Sequence, residues 1–233
     1  MSLMFIVTVL VLFIFAIVGL KRGLMKSVVS LVVLLVALFL ASVGHTFVSK
    51  AICDYTNIDE KLQEKISEQL ELNLANQLNS TTDQITAIEA MDLPESLKKT
   101  LIDNNNQDTY KELDVNGFVD YVTALLSHIV INALGYLACF VILLIFFAVL
   151  ASMTKLLTDL PIIGGINSLG GLVLGLLKGV LAVWVMYIVI TLAISTELGS
   201  DLYTQIQENQ LTLFLYENNL LMDVLLNVSK LLF

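Results

Sequence analysis

Four stretches of this chain are almost free of charge, and each is about as long as a bilayer is thick. That pattern narrows the possible folds more than any motif does. From Ser2 to Leu20 there is no Asp, Glu, Lys or Arg. About twenty such residues in a helix cross a hydrocarbon core of about 30 Å, at about 1.5 Å per residue. A second uncharged run, Ser27 to Val48, follows after only Lys21-Arg22-Gly23-Leu24-Met25-Lys26, which has room for the turn of a helical hairpin and little else. The third run, Tyr121 to Thr154, would form a helix about 50 Å long, so its first turns must tilt or project from the bilayer. The fourth reaches Ile194 with Lys178 inside it, too long for one span and too short for two with a turn. That length predicts a re-entrant or interfacial segment over 160–178, ending by about Leu174, and then a span to Ile194. Lys178 is expected near the inner end of that span, snorkelling to the headgroups.

Composition agrees. Apolar residues make up 57% and charged residues 14%, against about 25% charged in soluble domains. The expected architecture is therefore all-α and polytopic, with about four transmembrane helices in two hairpins and an extracytoplasmic helical insertion. Its segments are a first hairpin over 1–48, an acidic segment over 49–120, a second hairpin with a glycine-rich turn over 121–194, and an amphipathic tail over 195–233. In the first span the positive charges follow the apolar run, whereas a cleaved signal peptide carries them before it, so the span is expected to be retained.

Charge placement predicts the orientation. The turn holding Lys21, Arg22 and Lys26 should face the cytoplasm by the positive-inside bias. The segment from Ser49 to Asp120 holds fifteen acidic and six basic residues, which suits the outer side, and both termini are then extracytoplasmic. A net charge of -9 excludes nucleic acid as a natural partner, because phosphate binding needs a basic surface. Within the acidic segment, Ile58, Leu62, Ile66, Leu70, Leu74 and Leu78 recur every four residues and predict one amphipathic helix. A second starts near Pro94, carries Leu97, Leu101 and Ile102, and stops at Asn104-Asn105-Asn106. The leucine-rich tail from Gln210 is expected to lie in the outer interface or against the acidic segment.

The most pronounced motif is Gly171, Gly175 and Gly179, spaced four apart. Small residues on one helix face let another backbone approach closely in lipid, where van der Waals packing drives association. Gly19 and Gly23 form a weaker copy. A phosphate-binding loop is excluded by Lys178-Gly179-Val180, which lacks the Ser or Thr and the preceding strand. His128 and Asn132 lie four apart on the third run and form a possible intramembrane polar pair, lining a path or simply bonding across a helix interface. His45 reads as interfacial, and Trp184 as packing. Cys53 and Cys139 lack ligand spacing and read as unpaired. No calcium loop, nucleophile elbow or zinc-protease motif is present. No catalytic residue, cofactor or metal site is therefore expected, and the protein is expected not to be an enzyme.

Gly19, Arg22 and Gly23 at the end of the first span, with Asn167, Gly171, Gly175, Lys178 and Gly179 later, resemble the colicin V production protein family of bacterial inner-membrane proteins. Pro161-Ile162-Ile163-Gly164 looks like that family's entry to the second motif. The resemblance covers the two hairpins, about half of the chain. Ser27 stands where relatives often have Glu, and Ser168 where they often have a basic residue. The resemblance implies a non-enzymatic membrane accessory or scaffold required for colicin V (toxin) production or export. Some relatives carry an extracytoplasmic protease domain, which implies that the hairpins can serve as an anchor. Besides the lipid bilayer, the expected partner is a membrane or extracytoplasmic protein, or a second copy of the chain in a homo-oligomer. The competing expectation is a small oligomeric channel or transporter using His128 and Asn132.

Overall fold

The structure, a computed structural model, describes residues 2–74, 80–91, 93–154, 164–194 and 196–230. Among them it contains α-helices and no strand. The helices are α1 (Leu3–Tyr55), α2 (Ile58–Leu74), α3 (Thr81–Ala90), α4 (Glu95–Asp103), α5 (Gln107–Glu112), α6 (Phe118–Thr154), α7 (Gly164–Leu192), α8 (Glu197–Gln207), α9 (Gln210–Glu217) and α10 (Leu220–Lys230).

Three of these, α1, α6 and α7, are long and apolar enough to cross a membrane. In the most apolar window of each, only 22%, 22% and 44% of the residues are buried. Phe13, Phe39, Phe47, Ile142, Phe146 and Val173 all point outward. Water cannot be the solvent for such surfaces, since an exposed apolar area of this extent marks contact with another apolar phase. The molecule is a multi-pass membrane protein.

Helix α1 is not one rod. At Gly23 the backbone turns to φ 74°, ψ 173°, a region open essentially to glycine alone. Contacts with α7 show the result. Lys178 reaches Ser30, while its neighbour Gly179 lies against Leu12 and Phe15. Along a straight helix residues 12 and 30 would be about 27 Å apart, so the arm over 3–22 and the arm over 24–55 fold back on each other. The turn comes where the basic hexapeptide predicts it.

Helix α7 departs from expectation. In place of a re-entrant or interfacial segment over 160–178, the chain is continuously helical from Gly164; residues 155–163 lie outside the described set. A glycine-rich stretch is a poor helix by propensity, but here the missing side chains admit a neighbouring backbone, and packing outweighs propensity.

The chain divides into two compact units. One comprises residues 1–43 and 138–222. In it α8 and α9 pack on α7 around a core of Met4, Val183, Tyr187, Ile190, Tyr203, Ile206 and Leu215. The Trp184 indole N–H donates to the Leu215 carbonyl at 2.9 Å, and Asn219 returns a bond to the Trp184 carbonyl at 3.0 Å. The hydroxyls of Thr191 and Tyr216 meet at 2.8 Å, and burial pushes the Tyr216 phenol above its ordinary pKa. Up to Met222 the tail is thus part of this unit's core, where the sequence led us to expect it in the outer interface or against the acidic segment. The physical reason is that its aromatic and leucine face matches the end of α7. From Asp223 on the tail belongs to the unit that holds the acidic segment.

The other unit comprises residues 44–137 and 223–233. In it α4 starts after Pro94 and ends at Asn104, burying Leu97 and Leu101, as the pattern predicts. Helix α2 covers the expected repeat as far as Leu74; Leu78 lies outside the described residues. The sequence reading missed α3 and α5, whose side-chain caps are Ser80 and Asn106. Tyr121 donates to the Leu101 carbonyl at 2.6 Å and stacks on Tyr110 at 4.9 Å, which pins α4 and α5 to the start of α6. His45 is 2% exposed; Gly135 on α6 brings that backbone against the His45 carbonyl and Ser49.

Candidate functional site

The first arm of α1 and helix α7 meet along a seam without side chains. A Cβ on Gly19 would overlap the Gly171 carbonyl oxygen and stand 2.8 Å from the Gly175 Cα. One on Gly171 would overlap the Gly19 carbonyl oxygen and stand 2.8 Å from the Gly23 Cα. Gly175 faces the Phe15 carbonyl, and a Cβ on Gly179 would meet Leu12 at 3.2 Å. Going up α7, the partner positions on the first arm therefore descend from Gly23 to Leu12, which is an antiparallel pairing. The weaker glycine pair is thus the mate of the stronger triplet. Farther along the same pairing, the hydroxyls of Thr8 and Tyr187 are joined at 2.9 Å.

Asn167 closes one end of the seam. Its Oδ1 accepts from the Leu24 backbone N–H at 2.8 Å. Leu24 opens the second arm, so its N–H is one of the donors that a helix start leaves without an intrahelical partner. Asn167 is an N-cap supplied from another helix. A Cβ on Gly23 would strike this same amide, so the turn conformation and the cap depend on one close approach.

Lys178 is 7% exposed, and its Nζ donates to Ser30 Oγ at 2.7 Å. Ser30 lies six residues, about 9 Å of helix, inside the Gly23 turn. Side chains on a helix lean toward its N-terminus, which carries Lys178 from its own turn of α7 toward the Gly23 end of the seam. Ser30 in turn donates to the Ser27 carbonyl at 3.1 Å. The Ser27 hydroxyl is fully buried and has no hydrogen-bond partner among the described residues. Beside Lys178 is a cavity of about 230 Å³ lined by Phe15, Leu34, Leu38, Phe140, Leu144 and Val185, among others; among the described residues Lys178 is the one charged residue on its wall.

Arg22 is exposed. The His128 and Asn132 pair is not brought into the interior. His128 is exposed and Asn132 half-buried on α6, whereas the inward polar groups of that helix are Thr123 and Ser127. The sequence reading named Ser27 only as the residue standing where relatives often have Glu, and it did not single out Ser30. Their i, i+3 spacing on an otherwise apolar arm was the available signal.

A model of one family, the colicin V production protein, matches residues 6–84 and 113–217, together about four-fifths of the chain. The chain belongs to that family. Membership in the colicin V production protein family extends beyond the two hairpins to which the sequence motifs pointed. It takes in the start of the acidic segment as well as α8 and α9, and it leaves out 85–112, where α4 and α5 lie. Neither a curated protein nor a solved structure matches the chain. In this family member the motif residues Gly19, Gly23, Asn167, Gly171, Gly175, Lys178 and Gly179 form one continuous interface between the folded-back α1 and α7.

Proposed function

We propose that this protein is a non-enzymatic accessory or scaffold of the bacterial inner membrane that acts in the production or export of a colicin V-type toxin. The family match carries the reading. In the proposed arrangement the chain crosses the bilayer four times in two hairpins, divided at Gly23 and between α6 and α7. The basic hexapeptide lies in the cytoplasm, and the acidic 49–120 segment and both termini lie outside. The charge partition supports this orientation. The glycine seam supports a scaffold rather than a moving part, because close-packed backbones leave α1 and α7 little freedom to slide. Since the seam is filled within the chain, a protein partner would dock elsewhere, and the acidic outer segment is the surface we assign to it.

The test is complementation. A colicin V-producing bacterium deprived of its own family member should regain toxin secretion, read as growth inhibition of an indicator strain, when it expresses this chain. Gly175→Leu should not restore it. Failure of the wild-type chain, expressed in the membrane at normal level, would overturn the reading. Ion or solute flux in liposomes that disappears in His128→Ala and Asn132→Ala would favour the channel alternative instead.

A further inference from the structure

We infer that Lys178 and the adjoining cavity form a binding site for a single-chain anionic amphiphile, an acidic head group carrying one acyl chain. The inference does not rest on the proposed role in toxin production; it rests on hydrogen-bond accounting and on the shape of the cavity.

An ammonium has three N–H donors. Lys178 gives one to Ser30, and no carboxylate pairs with it among the described residues. Two donors therefore remain in a site that is 93% shielded. A buried charge without a counter-ion is costly, and in a membrane helix such a residue is retained where it has a task. On the same arm as Ser30, the fully buried Ser27 hydroxyl is also without a partner among the described residues. The two remaining ammonium donors, on the wall of the cavity, call for an acceptor with several lone pairs, which is the chemistry of a carboxylate or phosphate.

The rest of the wall is hydrocarbon: Phe15, Leu34, Phe140, Leu144 and Val185. Apolar cavities of this kind stay dry and accept apolar ligands. At about 230 Å³ it is smaller than the roughly 300–1,000 Å³ of ordinary ligand sites, so it holds a segment of one acyl chain and excludes a second. That size points to one tail, and the donors point to a negative head.

The experiment uses the full-length protein in nanodiscs of phosphatidylcholine, with radiolabelled oleate as the probe, the uncharged monoolein as its control and phosphatidylglycerol as competitor. The wild-type protein is expected to bind oleate saturably and at least roughly tenfold more tightly than monoolein, the range of a charge-assisted hydrogen-bonded contact. Lys178→Met should lose that tenfold preference, Lys178→Arg should keep most of it, and Leu144→Trp, which fills the cavity, should weaken both ligands. Equal binding of oleate and monoolein by the wild type would overturn the inference without requiring any variant to fold. So would undiminished oleate binding by Lys178→Met with an unchanged elution profile. Phosphatidylglycerol competing as strongly as unlabelled oleate would overturn the assignment to a single-chain ligand and place the anion on a bilayer lipid.

Discussion

Gly23 and Asn167 show how much of this fold depends on single atoms. Gly23 holds a backbone conformation closed to other residues, and its absent Cβ is the space in which the Asn167 amide reaches Leu24. Gly23→Ala should therefore destabilise the protein by about 1–3 kcal/mol from backbone strain alone, with the displaced cap adding to it. Asn167→Leu should cost about 0.5–2 kcal/mol, the usual range for a lost N-cap. Asn167→Asp keeps the accepting oxygen and should recover most of that loss. Thermal unfolding in detergent, followed through the emission of the one tryptophan, Trp184, reads all three. Equal midpoints for Asn167→Leu and Asn167→Asp would show that the cap contributes nothing.

Between elements, the decisive relation is the antiparallel register of the first arm of α1 with α7. It follows from which glycines face which carbonyls, and it places Leu12 beside Gly179. In a chain carrying Cys53→Ser and Cys139→Ser, the pair Leu12→Cys and Gly179→Cys should form an intramolecular disulfide under mild oxidation. A Cβ at 179 stands only 3.3 Å from the Leu12 Cα, within the reach of disulfide geometry. Moving one cysteine by two residues, to Ile14, should abolish the fast-migrating band. Bands of equal strength for both pairs would contradict the register. The same seam explains why α7 is helical through its glycines: the helix is stabilised by what it touches, and the touching surface exists only because the glycines lack side chains.

Across the whole molecule, the alternation of basic and acidic segments predicts sidedness. Reporter fusions after Lys26 and after Asn79 should report opposite compartments, the first cytoplasmic and the second outside. Both in one compartment would remove the hairpin over 1–48. Much of the architecture was legible at this scale because uncharged runs of bilayer length have few other solutions. The helical content, the break at Gly23 and α4 between Pro94 and Asn104 all follow from local chemistry. Other features were not legible. The glycine triplet announced close packing without naming its mate, and Lys178 gave no sign of its bond to Ser30. The burial of His45 depends on Gly135, on a distant part of the chain.

By itself the sequence determined the solvent of this protein, its helical class and the position of its sharpest turn, because hydrophobicity, helix length and glycine's positive φ are local properties. The tertiary structure alone decided that Gly19 belongs with Gly171, that Asn167 caps Leu24 and that Lys178 ends at Ser30 beside an apolar cavity. Such pairings depend on which helix faces come together, and a helix presents several faces of comparable apolarity while only packing selects among them.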